Sequence, residues 1–221
     1  MFFTNDYLIF FRELAQNNNK TWFDTNKQRF EAVAKLPTEQ FIQHLINLAA
    51  QHDPSFADLK SKDCIYRVYK DVRFSKDKTP YKDHLSFNFS PLGRKEMKVI
   101  GLYCQLSGGE LMVAGGAYQP DPKQVAALRN YIINNMEEFR ARCEDPDFVR
   151  VFGGLQGEKN KRLAPELLAH AEKEPLLFNK QLFFSCHLPP ETILDPEFDQ
   201  LLLSYYDIAR PMNAFLAAAL E

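Results

Sequence analysis

The chain of 221 residues has no CxxC pair, no HxH or HExxH, no GxGxxG or GxxxxGK, and no apolar run long enough to span a bilayer. Each absence removes a class of protein. Cys64, Cys104, Cys143 and Cys186 stand 39 or more positions apart, which fits neither a metal knuckle nor a dense disulfide framework. Reduced thiols in a bacterial-type cytoplasm are expected. The histidines His44, His52, His84, His170 and His187 follow no ligand spacing, so no metal and no cofactor are expected. Basic excess is also missing: the net charge is −2 and the pI about 6.2, which argues against a partner as broad as duplex nucleic acid. Asp6, Arg12 and Glu13 interrupt the apolar start, and no basic n-region or small-residue cleavage site accompanies it, so a signal peptide is not expected. There is no linker, internal repeat or low-complexity tract. With 45% apolar residues, residues 1–221 read as a single domain, free of membrane-spanning segments, that can bury a substantial core.

What is present begins with helix signals. Leu8, Phe11 and Leu14 fall at helical spacing and Asn17 to Asn19 stop the pattern. Thr21 with Asp24 resembles a capping box for a helix from Trp22 towards Lys35, with Trp22 and Phe23 as core anchors. Pro37 suits the first turn of a third helix with Phe41, Leu45, Ile46 and Leu48 as its buried stripe. Alternation then predicts strands over Cys64 to Phe74, His84 to Phe89, Lys98 to Leu106 and Glu110 to Ala114, with turns at Pro91 to Gly93 and Gly108-Gly109. Gly115-Gly116 reads as a tight backbone turn rather than a phosphate cradle. Asp121-Pro122 with Gln124, Asp145-Pro146 and Asp195-Pro196 start further helices. Leu182 to Leu188 makes a fifth strand, and a last helix through Leu201, Leu202 and Tyr205 is interrupted at Pro211. Helices grouped around hairpins predict an α+β fold: an antiparallel meander of about five strands flanked by N-terminal and C-terminal helices.

Charge is concentrated in one place. From Lys60 to Lys82 eight cations (Lys60, Lys62, Arg67, Lys70, Arg73, Lys76, Lys78 and Lys82) face three acids, a local +5 that leaves −7 for the other 198 residues. On a strand, Arg67, Tyr69, Asp71 and Arg73 share one face, while Tyr66, Val68, Val72 and Phe74 share the core face. Pairing with the next strand would add His84, Ser86 and Asn88 to the polar face. Arg67 and Arg73 would then offer planar forks to phosphate or carboxylate. Lys76 and Lys78 could close from the unusually long loop Ser75 to Asp83, next to Tyr81 and Lys82. The bland alternative is a solvated sheet face with an Asp71–Arg73 surface pair. Cys186 and His187 point to opposite faces of a strand, which disfavours a thiolate dyad.

Arg67-Val-Tyr-Lys-Asp-Val-Arg-Phe-Ser-Lys-Asp-Lys-Thr-Pro-Tyr-Lys82 resembles, together with Asn19-Lys-Thr-Trp-Phe23, Gly115-Gly-Ala-Tyr-Gln-Pro120 and Arg129, the bacterial domain-of-unknown-function family 2461. The likeness runs over nearly the whole chain. It implies a single α+β domain and no established activity. Where families of this type carry a Pro/Gly-rich stretch after a Lys-Arg pair, this chain has Lys161-Arg162-Leu-Ala-Pro165 and then a helical run, so the resemblance assigns that pair no role.

The sequence therefore points to binding of a small phosphorylated or carboxylated ligand at Arg67, Arg73, Lys76, Lys78, Tyr81 and Lys82. Two alternatives stay open: an enzyme on the same ligand class with Asp71 or His84 in proton transfer, and a domain that docks an acidic protein or nucleic-acid backbone. The reaction, if any, and the oligomeric state are not legible.

Overall fold

The helix expectations at the start are met by α1 (Asn5–Gln16), α2 (Lys20–Thr25) and α3 (Lys27–Phe30), in a computed structural model that describes residues 1–73, 75–94 and 101–220. The cap of α2 is Asn19, not Thr21. Asn19 is extended and its side chain accepts the Trp22 N–H at 3.0 Å, which starts the helix two residues earlier than expected. After α3 the chain makes a π-helical turn, Glu31–Lys35, and continues as α4 (Leu36–Ala49) with Pro37 in its first turn.

The sheet has four strands, antiparallel and in the order β1-β2-β3-β4: β1 (His84–Phe89), β2 (Leu102–Ser107), β3 (Leu111–Ala117) and β4 (Leu182–Leu188). The α+β class holds, and the strand count of five is corrected to four. Cys64 closes a short helix, α5 (Ser61–Cys64), and the segment after it meets the chain around β1 only at two isolated bridges, Ile65 with Phe87 and Tyr69 with Tyr81. Between those bridges one side advances four residues and the other six. The two surplus residues break the ladder as a bulge does. Farther on, the Asp71 carboxylate accepts the Arg73 backbone N–H at 3.2 Å, an Asx-type turn that ends the extended run. Phe74 and the expected strand start at Lys98 lie outside the described residues.

Between β3 and β4 run α6 (Pro122–Asn134), α7 (Met136–Cys143), α8 (Pro146–Phe152) and α9 (Pro165–Lys173). The Asp121/Gln124 capping box is formed in full, and Asp145 caps α8. Asp195 instead accepts the Glu197 N–H in a turn, and α10 begins later (Phe198–Ala218). Pro211 does not interrupt α10. Its neighbours Ala209, Met212, Phe215 and Leu216 are buried, and that packing outweighs the cost of one proline in a helix, about 3 kcal/mol.

The chain forms two compact units. The first comprises Met1–Glu96, Tyr103–Val113 and His187–Leu203; the second Met97–Leu102, Ala114–Cys186 and Ser204–Glu221. In the first, Phe41 stacks on Phe198 at 4.8 Å, Tyr7 packs edge-on to Phe3 and tilted against Phe11, and the Tyr7 hydroxyl donates to the Leu106 carbonyl at 3.2 Å. In the second, Phe184 is held by Phe148 and Phe152, while Phe215 packs on Tyr131 and Phe139. Gly115 and Gly116 lie inside β3 rather than in a turn. A Cβ on Gly115 would stand 2.4 Å from the Phe184 ring and one on Gly116 2.5 Å from the Leu182 carbonyl oxygen. Among the described residues no helix is long and apolar enough to cross a membrane.

Candidate functional site

Alternation along Arg67 to Arg73 survives the loss of the strand: Arg67, Tyr69, Asp71 and Arg73 are exposed, Val68 is buried and Tyr66 half-buried. The expected site residues nevertheless separate. Arg73 places both arms of its guanidinium on Asp71 (3.0 and 2.7 Å), and that pairing holds the Asp71 carboxyl below its usual pKa. Lys78 donates to the Val72 carbonyl at 2.9 Å, and Lys76 is exposed. The loop is fastened internally, since Asp77 accepts from Lys70, the Thr79 hydroxyl and the Thr79 N–H. Tyr81 is in the core, stacked on Phe23 with ring centroids 4.0 Å apart. His84 faces Asp83 at 3.0 Å, and Asn88 donates to the Gly93 carbonyl. Ser86 is buried, with no hydrogen-bond partner for its hydroxyl among the described residues.

Arg67 lies elsewhere, on a cleft of about 550 Å³ within the first unit. Its charged lining consists of Lys27, Lys35, Lys62, Arg67 and Arg94 against Glu31 and Glu39, a net +3 by count. Phe23, Phe30, Ile65, Val68 and Leu85 make the apolar wall, with Tyr66 and Tyr69 at the polar edge. Lys35 is paired with Glu31 at 2.8 Å along the helix. Arg94 is anchored by donating to the Ile65 and Lys62 carbonyls, and Arg67 makes no hydrogen bond or ion pair among the described residues. Neither Asp71 nor His84 lines the cleft.

Tyr66 gathers cations. The Lys82 ammonium lies 5.6 Å from its ring centroid and the Arg94 guanidinium 6.0 Å, positions that favour the ring face. Burial, and after it the Arg67 charge, hold the Lys82 pKa below the usual lysine value. Burial likewise raises the Tyr66 hydroxyl, against a smaller opposing effect of Arg94. For a cation whose folded pKa is depressed, the unfolded chain binds more protons between the folded and unfolded values. Stability therefore rises with pH through that window, and the penalty is fully present at neutral pH. Lys82→Met is thus expected to raise the urea midpoint of the ligand-free protein slightly, with an unfolding free energy about a few tenths of a kcal/mol higher after solvent screening. A lower midpoint would mean that the contact with the Tyr66 ring outweighs the cost of burial and the repulsion from Arg67.

Sequence reasoning missed Lys27, Glu31, Lys35, Glu39 and Arg94. One signal was readable: Lys27, Glu31, Lys35 and Glu39 recur every four residues with alternating sign, which marks one helix face. Each step of four overshoots a turn of 3.6 residues by about 40°. The wider π turn at Glu31–Lys35 takes up part of that drift and keeps the four side chains along the cleft. Arg94 carried no such signal. Among the described residues no group of three or more His, Cys, Asp or Glu is placed to hold a metal ion.

A family model described as "Conserved hypothetical protein (DUF2461)" matches residues 6–215. No curated protein and no solved structure matches the chain.

Proposed function

The chain belongs to the DUF2461 family, whose description names no activity, and we propose from the cleft alone that it binds a small phosphorylated or carboxylated ligand there. The observation that carries this reading is the excess of cations on a concave, partly apolar surface, with Arg67 unengaged among the described residues. A guanidinium with its donors free matches the bidentate geometry of phosphate and carboxylate, and an anion would also relieve the mutual repulsion of Arg67 and Lys82. The π turn in the cleft wall adds support, because such turns concentrate at functional sites. The anchors of the proposal are Arg67 with Lys27, Lys62 and Arg94; Lys82 acts through its charge behind Tyr66; and Arg73, Lys76 and Lys78 serve as outer cations. Proton transfer by Asp71 or His84 gains no support from their places outside the cleft. Among the described residues no disulfide joins the four cysteines, which supports a reducing, bacterial-type cytoplasm as the site of action.

Thermal unfolding in a panel of phosphorylated metabolites and dicarboxylates tests the reading. A ligand at 100 times its dissociation constant adds about 2.7 kcal/mol, which raises the midpoint of a chain this size by roughly 5 to 11 °C. Arg67→Ala should remove the shift while leaving the ligand-free midpoint nearly unchanged. A chemically broad panel that moves nothing would sink the proposal.

A further inference from the structure

The cleft has two parts that one simple anion would not use. Its volume of about 550 Å³ lies within the range of roughly 300–1,000 Å³ typical of sites for drug-sized ligands, so a bare phosphate or acetate would leave most of it open. Beside the free Arg67 stands Tyr69, 48% exposed although it is a large aromatic residue. Tyr69 is backed rather than loose: its ring lies 5.4 Å from Tyr81 and 6.1 Å from Phe23, and Phe23 and Tyr81 are themselves stacked. Tyr69 thus presents a supported aromatic ring to the cleft that Arg67 also lines, with Phe23 and Tyr81 packed against it. Buried rings elsewhere in this unit are covered by other side chains; this one is held in place and left open.

The charge selects the head group. Setting aside the Lys35–Glu31 pair, Lys27, Lys62, Arg67 and Arg94 stand against Glu39 alone, a balance of +3. A monocarboxylate would neutralise one of those charges, whereas a phosphate monoester brings a charge of about −1.5 to −2 at neutral pH and three acceptor oxygens.

We propose that the ligand of this cleft is a planar aromatic ring joined to a phosphate, the chemistry of a nucleoside monophosphate, with the ring on Tyr69 and the phosphate at Arg67. The proposal rests on the reading that the cleft binds an anion and adds to it the ring and the phosphate. Base identity is left to the polar groups of the rim.

Calorimetric titration of the whole chain with AMP, CMP, GMP and UMP, and with ribose 5-phosphate, inorganic phosphate and adenosine, separates the parts. At least one nucleotide should bind about tenfold or more tighter than ribose 5-phosphate, a gap of about 1.4 kcal/mol. Tyr69→Ala should weaken that nucleotide by roughly 5- to 150-fold, the span expected for one base stacked on one ring, and Tyr69→Phe should leave it unchanged. Arg67→Ala should abolish nucleotide binding. If ribose 5-phosphate binds as tightly as every nucleotide, the ring is overturned while the anion reading stands. If adenosine matches AMP and Arg67→Ala has no effect, the phosphate is overturned. If no probe binds but a dicarboxylate from the thermal panel does, the inference fails and the anion reading survives; if the panel is silent too, both fail. The wild-type comparison of nucleotide with ribose 5-phosphate decides the matter even where a Tyr69 variant folds poorly.

Discussion

Phe23→Ala is expected to cost about 3–5 kcal/mol in urea unfolding, the range for truncating a fully buried phenylalanine. Phe23 is 1% exposed, stacks on Tyr81 with an interplanar angle of 15°, packs on Phe30 at 5.2 Å and forms part of the apolar wall of the cleft. Truncation removes the transfer free energy of the ring and leaves a cavity beneath Tyr69 and Tyr81. Affinity for any cleft ligand should therefore fall along with stability. Phe23→Leu, which refills much of that space, should recover more than half of the loss. Lys20→Ala, an exposed position on the same helix, should leave the urea midpoint nearly unchanged. A cost for Phe23→Ala below about 1 kcal/mol would show that the Phe23–Tyr81–Tyr69 edge does not depend on this ring.

The same residue shows what was legible in the sequence. Phe23 could be read as a core anchor because local signals surround it: an apolar pair near a helix start, polar residues on either side and a stop signal before it. Such cues located α1, α4 and the Asp121/Gln124 cap, alternation located β1 and β3, and a late apolar run located β4. They failed where the answer depends on a partner distant in sequence. The run after Cys64 alternates like a strand, yet two surplus residues on the opposing chain prevent a ladder, and alternation within one segment carries no trace of that mismatch. The site divides in the same way. The basic segment pointed to Arg67, but Arg73 and Lys78, equally basic, spend their donors on Asp71 and on the Val72 carbonyl. Which cation is left unengaged is a matter of tertiary geometry. Arg94 and the Lys27-to-Glu39 face reach the cleft only because the fold returns to it.

Gly116→Ala should be strongly damaging for so small a substitution, at about 2–5 kcal/mol. Two separable causes add up: a left-handed backbone on a residue with a Cβ, about 1–2 kcal/mol, and overpacking, about 1–3 kcal/mol. Gly116 has φ +85°, and its new Cβ would meet the Leu182 carbonyl oxygen at 2.5 Å and the Phe183 Cα at 2.8 Å, both backbone atoms of β4 that cannot rotate away. Gly153→Ala isolates the first cause. Its φ is +71° and nothing lies within 4 Å of its Cβ position, so about 1–2 kcal/mol is expected there. Asn213 provides an independent check on why β3 stays so close. Its side chain, 3% exposed, accepts the Gly116 N–H at 3.0 Å and donates to the Gly101 carbonyl at 3.1 Å. Asn213→Ala strands both groups, at about 1–3 kcal/mol for each one left buried without a partner. Because forcing β3 away from β4 also strains the bond from the Gly116 N–H to Asn213, the double variant should cost less than the sum of the two single ones. Full additivity, or a Gly116→Ala cost equal to that of Gly153→Ala, would mean that β3 yields freely and that the glycine is required for its φ alone.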